Sequence, residues 1–174
     1  MFCFHPYVSI QGMETVNRRA TYRLYPTPAQ EAALQTQREA HRLLYNAALE
    51  QRQAAWTRQR ISLGYAQQCT DLPEVRQADV TPWPAQAAQH TLQRVDRALQ
   101  AFFRRLKAGD KPGSPRFKSR KRCKGWSYPT HGDGWRLLPR EGMQHGRLRL
   151  AGIGPVRIRG DARTAGEPKT CDIV

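Results

Sequence analysis

Between Pro84 and Lys107, the residues Ala85, Ala88, Leu92, Val95, Leu99, Phe102 and Leu106 recur at alternating steps of three and four. Only an α-helix brings such positions to one side, because side chains three and four apart share a face. The stripe predicts an amphipathic helix with those residues as core, widened by Phe103. Gln86, Gln89, Gln93, Arg94, Arg97 and Arg104 fall mostly off it. Gly109 marks its end.

A helix with one apolar stripe needs partners. Upstream, Arg19-Ala-Thr-Tyr-Arg-Leu-Tyr25 alternates, with Ala20, Tyr22 and Leu24 on one face, as in a half-buried strand. Pro26 stops it. Thr27 can then cap a helix, with Pro28 in the first turn and Gln30 as capping-box partner. That helix is expected to reach about Arg60, with Leu34, His41, Leu44, Tyr45, Ala48, Leu49 and Trp56 as its stripe. Gly64 breaks it, a short helical piece follows from Tyr65 to Leu72, and Pro73, Pro82 and Pro84 mark a loop.

Beyond Gly109 the composition turns Gly- and Arg-rich. The segments 126–128, 135–138, 147–150, 155–159 and 169–174 read as short strands. The expected class is α+β: a small, wedge-like antiparallel β-barrel interrupted after its first strand by a helical lobe. The expected division is a leader over 1–18, with Met13 a candidate start, a first strand over 19–26 and a helical insertion over 27–108. A basic loop over 109–125 and an incomplete barrel over 126–174 complete it. Met1 to Gly12 is apolar but carries neither a basic n-region nor a cleavage site.

Charge supplies the functional signal. Lys and Arg number 29 against 14 Asp and Glu, a formal net charge of +15 over 174 residues. Such an excess repels itself in a compact state unless a polyanion neutralises it, and nucleic acid is the usual polyanion. No apolar segment is long enough to suggest a membrane partner. Cys3, Cys69, Cys123 and Cys171 form no Cys-x-x-Cys pair, so free thiols in a reducing, cytoplasmic setting are expected rather than zinc.

Two constellations organise the charge. The first is the run Arg104, Arg105, Lys107, Lys111, Arg116, Lys118, Arg120, Lys121, Arg122 and Lys124, interrupted by Phe117. Cations there can follow phosphates while an aromatic stacks on an unpaired base; the competing reading is a solvated loop. The second is the strand pair bearing Arg147, Arg149, Arg157 and Arg159, expected to share one outer face. Like charges opposed across strands are destabilising, so phosphates are expected there, with solvated solubility charges the rival. Catalysis finds no constellation of its own. The acids are scattered singly, the histidines are isolated, and phosphate-loop and nucleophile-elbow signatures are absent, so no catalytic residue and no metal ligand is assigned.

Three segments carry a family resemblance. Tyr22-Arg-Leu-Tyr-Pro-Thr-Pro-Ala-Gln-Glu31, Leu44-Tyr-Asn46, and Gln89 to Lys107 followed by Gly113-Ser-Pro-Arg-Phe-Lys118 resemble the front part of OrfB/TnpB insertion-sequence transposases. The resemblance implies RNA-guided DNA endonucleases related to compact CRISPR type V effectors. In these, a β-barrel and a helical recognition lobe hold guide RNA and read a short motif in double-stranded DNA. By motif alignment it implies that Tyr65 and Gln89 face that motif, and Gln can pair bidentately with adenine. Arg19, Arg23, Arg94 and Arg97 join the implied nucleic-acid contacts. The family's nuclease domain would use magnesium and a structural zinc, and is expected to follow Lys169 to Val174, outside these residues; none of these cofactors is expected here. The expectation is a chain truncated before that domain that binds without cleaving. A non-cleaving RNA-guided repressor, a partner for a separately encoded nuclease half and an unrelated basic RNA-binding protein stand as alternatives.

Overall fold

The computed structural model describes residues 2–8, 16–17, 19–78, 84–138, 145–160 and 167–174. Met13 and Pro82 lie outside the described residues. The chain forms β1 (Phe2–Val8), β2 (Val16–Asn17), β3 (Ala20–Tyr25), α1 (Pro28–Gln59), α2 (Tyr65–Ala78) and α3 (Ala85–Lys107), followed by β4 (Trp126–Tyr128), β5 (Trp135–Leu138), β6 (Arg147–Leu150), β7 (Gly154–Arg159) and β8 (Glu167–Ile173).

The strands make one antiparallel sheet in the order β4-β8-β1-β3-β7-β6-β5, with β2 paired to β1. Its edge strands, β4 and β5, are joined by only residues 129–134. A flat sheet would hold them apart, so the sheet curls into a half-barrel, consistent with the expected α+β class. Closure is incomplete, since β4 and β5 do not pair with each other. The sheet also starts earlier than expected: the segment read as a leader supplies β1, which lies between β8 and β3. Both neighbours present backbone N–H and C=O groups that a central strand satisfies. The register shifts between His5 and Pro6, where proline has no N–H to give.

The barrel core is the inward half of each alternation: Tyr22, Trp126, Tyr128, Trp135, Leu137, Leu148, Leu150, Val156, Ile158, Cys171 and Ile173, with Ala87 from α3. At Gly125 a φ of 138° leads the chain into β4, and a Cβ there would meet the Ile173 carbonyl, so only glycine fits.

The helical lobe has a second core, built from Leu44, Tyr45, Ala48 and Leu49 of α1, Leu72 of α2, and Ala88, Leu92 and Val95 of α3. α1 opens with the expected capping box: the Gln30 N–H donates to Thr27 Oγ1 at 3.3 Å, and the Thr27 N–H to Gln30 Oε1 at 3.1 Å. It closes at Arg60, in the left-handed conformation with φ 58°. Three sequence expectations change. α2 runs through Pro73 to Ala78, giving up only the one helical bond that proline cannot donate. The α3 stripe is buried only in its early turns, where Ala88, Leu92 and Val95 pack in the lobe core, and Phe103 and Leu106 are exposed. Trp56, near the end of α1, is exposed as well.

Lobe and barrel meet along α1. Buried Gln37 donates from Nε2 to the Ala151 carbonyl at 2.9 Å and accepts from the Tyr128 hydroxyl at 3.2 Å. One turn on, the His41 ring stacks on Trp126, centroids 5.5 Å apart and planes 11° apart, and bonds the Thr91 hydroxyl at 2.8 Å. Burial, with Arg94 and His90 nearby, pulls its pKa down to about 3, so this histidine is neutral core.

Candidate nucleic-acid interface

Strand register determines what the outer sheet face carries. Arg147 pairs with Arg157 and Arg149 with Pro155. The next strand outward adds Arg136 opposite Arg149 and Leu138 opposite Arg147. On the other side, Arg23 faces Arg159 and Tyr25 faces Arg157. All of these residues are exposed, while Tyr22, Leu137, Leu148, Leu150, Val156 and Ile158 are buried behind them. Strands lie about 4.8 Å apart and same-face residues about 7 Å apart along a strand. Six arginines therefore form a close grid across β3, β7, β6 and β5. Among the described residues no carboxylate pairs with any of the six.

The expected group Arg147, Arg149, Arg157 and Arg159 thus does share a face, and Arg23 joins it. Sequence reading passed over Arg136, although Trp135-Arg-Leu-Leu138 carries the same alternation. It also passed over Tyr25, which was read only as the end of a strand.

The basic loop is a second, shaped surface. Its central residue is held by α1: the Asn46 amide donates to the Lys118 carbonyl at 3.0 Å and accepts from the Lys118 N–H at 2.8 Å. Arg42 donates to the same carbonyl at 3.0 Å. The Lys118 ammonium sits 4.1 Å from the centroid of the Tyr45 ring, half-buried, and desolvation and then Arg94 hold its pKa below the ordinary lysine value. Lys118 is therefore a packing cation, and Arg94, which donates to the Gly125 carbonyl at 2.9 Å, is another. Lys111, Arg116, Phe117, Lys121, Arg122 and Lys124 project outward around this anchor. Arg120 is exposed and 3.5 Å from Glu39, whose carboxyl is held below its usual range chiefly by Arg42. Arg104, Arg105 and Lys107 are exposed in the last turn of α3, where cations also complement the helix dipole. Arg97 is exposed on α3 and Arg19 just before β3.

Tyr65 packs beside Cys69 and Asp96, its hydroxyl pushed up to about 12 by burial, while Gln89 lies near the start of α3, about 10 Å of helix axis from Asp96. Asp96 has a structural role: it accepts from Arg52 at 2.7 Å and from Gln100 at 2.6 Å. Arg52 in turn donates to Gln68, which bonds Ala48 and Gln51, and this network ties the three helices together.

Among the described residues no three His, Cys, Asp or Glu side chains converge as metal ligands. No described helix is long and apolar enough to cross a membrane.

Known proteins agree with the geometry. Residues 13–60 match a helix-turn-helix domain, that of the OrfB proteins of IS605-type elements. The matched span covers β2, β3 and α1, which is one unbroken helix, and the turn into α2 follows it directly. The chain is also 34% identical, over 112 residues, to a Streptomyces pristinaespiralis protein named as a candidate RNA-guided DNA endonuclease. The alignment takes in 64% of this chain and 28% of that relative, so the chain spans under a third of its length. With the arginine face, the clamped basic loop and these matches in view, the chain is similar to the N-terminal part of OrfB/TnpB-family proteins, and residues 13–60 match their helix-turn-helix domain.

Proposed function

We propose that this chain is the nucleic-acid-gripping portion of an RNA-guided DNA recognition system, with guide RNA and double-stranded DNA as partners and no strand cleavage by these residues alone. One observation carries the reading: six exposed arginines share one face with no carboxylate partner among the described residues, three pairs of them in direct cross-strand opposition. Each such pair works against folding, and a phosphate backbone is the partner that reverses the sign. The outward cations of the basic loop extend the same field. Tyr65 and Gln89 are assigned to the duplex motif, with the half-buried Gln89 amide available to an adenine edge. The free thiols of Cys69 and Cys123 suit a reducing cytoplasm.

The test is purification under nucleic-acid-retaining conditions, sequencing of the bound RNA, and measurement of duplex retention with that RNA present. A defined small RNA with site-dependent DNA retention is the expected result. Random cellular RNA would remove the guide assignment, and magnesium-dependent cutting of DNA by this chain would remove the statement on cleavage.

A further inference from the structure

Tyr25 is out of place on a solvent-facing row. Inward positions of β3 take the apolar residues, yet this aromatic points outward and is 41% exposed. Along its own strand Arg23 lies over the ring, guanidinium carbon 5.6 Å from the centroid. Across the sheet it heads the row Tyr25, Arg157, Arg147, Leu138. The row therefore runs from an aromatic, through two directly opposed arginines, to an exposed leucine. Above and below it lie the rows Arg23–Arg159 and Pro155–Arg149–Arg136.

We infer that the outer face of β3, β7, β6 and β5 is a single-strand site, with a base stacked on Tyr25 and the adjoining phosphates on Arg157, Arg147 and Arg159. Cations alone would suit any polyanion, and the aromatic makes the difference. In a duplex the bases are paired and stacked internally, so an exposed ring on a sheet meets only sugar and phosphate. An unpaired base can lie flat on the ring while its phosphates reach the neighbouring guanidiniums. Arg23 supports one side of the ring, which holds the platform in place and adds a cation to the stack. Stacking tolerates every base, so the site selects strandedness rather than sequence. The inference rests on the nucleic-acid reading above and narrows it to one surface and one strand state.

The test uses the full chain and three labelled probes: a 12-nucleotide single-stranded RNA, the DNA of the same sequence, and the 12-base-pair DNA duplex. Binding is read by fluorescence anisotropy at modest salt. Tyr25→Ala is expected to weaken both single strands by about tenfold and leave the duplex unchanged, while Tyr25→Phe keeps most of the affinity. Both single strands respond because the recognised chemistry is base plus phosphate; a response from RNA alone would narrow the source to RNA within the same inference. Arg147→Ser/Arg157→Ser is expected to weaken all three probes and flatten the salt dependence. Unchanged single-strand binding by Tyr25→Ala, or an equal loss on the duplex, would overturn the platform while leaving nucleic-acid binding intact. Wild-type protein that binds none of the probes would overturn the parent reading, and this one with it. Because Tyr25 is exposed, the variant's fold is checked by its thermal transition, and Tyr25→Leu, which keeps the bulk without a stacking ring, keeps the test decisive if Tyr25→Ala unfolds.

Discussion

Asn46 closes a two-bond ring with the backbone of Lys118, donating to its carbonyl and accepting from its N–H. The ring joins two segments 72 residues apart in sequence, Leu44-Tyr-Asn46 and Gly113-Ser-Pro-Arg-Phe-Lys118. Asn46 thereby turns a loop crowded with cations into a fixed surface. Asn46→Ala is expected to cost about 1–3 kcal/mol, the range for leaving partly buried backbone groups unsatisfied. Urea unfolding gives the loss of stability, and limited trypsin digestion checks the mechanism: cleavage within 111–124 should quicken before global unfolding does.

Lys118 and its neighbours separate by role. Lys118→Ala should lower the melting temperature, since its ammonium packs on Tyr45, and should leave the salt dependence of RNA binding nearly unchanged. Arg116→Ser and Lys121→Ser should do the reverse, each lowering the slope of log affinity against log salt by about 0.7 on single strands. Titrations at four salt concentrations distinguish the two patterns.

Arg147 and Arg157 oppose one another on paired strands. Arg147→Thr is expected to raise stability by roughly 0.2–1 kcal/mol at low ionic strength while weakening nucleic-acid binding. In molar salt the stability gain should shrink, because the repulsion it removes is already screened. A mutation that stabilises and disables together identifies the arginines as functional.

Arg52 and Asp96 meet at 2.7 Å with side chains 8% and 20% exposed. Asp96→Ala leaves the guanidinium buried without its carboxylate and should cost about 3–5 kcal/mol. The double variant Arg52→Met/Asp96→Leu should recover much of that, since it removes both charges together. Paired urea titrations of single and double variants supply the comparison.

His41 gives the chain a pH dependence of definite sign. Its folded pKa of about 3 lies below the ordinary 6.5, with desolvation the largest cause. The unfolded chain therefore binds the proton first as pH falls. The stabilisation is complete above pH 6.5 and declines as pH drops from there toward 3, amounting to about 2 kcal/mol lost by pH 5. His90, lowered by burial and then by Arg97 and Arg94, acts in the same direction. His41→Gln should flatten the stability profile between pH 7 and 5, read from urea midpoints.

Local signals made much of this legible from the sequence. The Thr27 capping box, the Ala88–Leu92–Val95 stripe and the Leu148/Leu150 and Val156/Ile158 alternations are written in residues close together, and each forms as expected. What escaped depends on pairing across distance. Arg136 joins the arginine face only because β5 pairs with β6, and β1 enters the sheet only because β3 and β8 both lack a neighbour there. Gln37 and Arg52 stand outside the apolar stripe expected for α1, yet both are buried because remote partners satisfy them. Phe103 and Leu106 show the opposite failure: the period is right, but it cannot say which turns of the stripe a neighbour covers.

The strict inside–outside alternation of β6 and β7 has a consequence for how the chain can err. A slip of one residue in their pairing would carry the guanidiniums inward and thrust leucine, valine and isoleucine into water. Misregistered forms are therefore penalised twice, by buried cations and by wetted hydrocarbon. The same rule ties the fate of the charged surface to that of the interior: neither can be shifted along the strands without dragging the other with it.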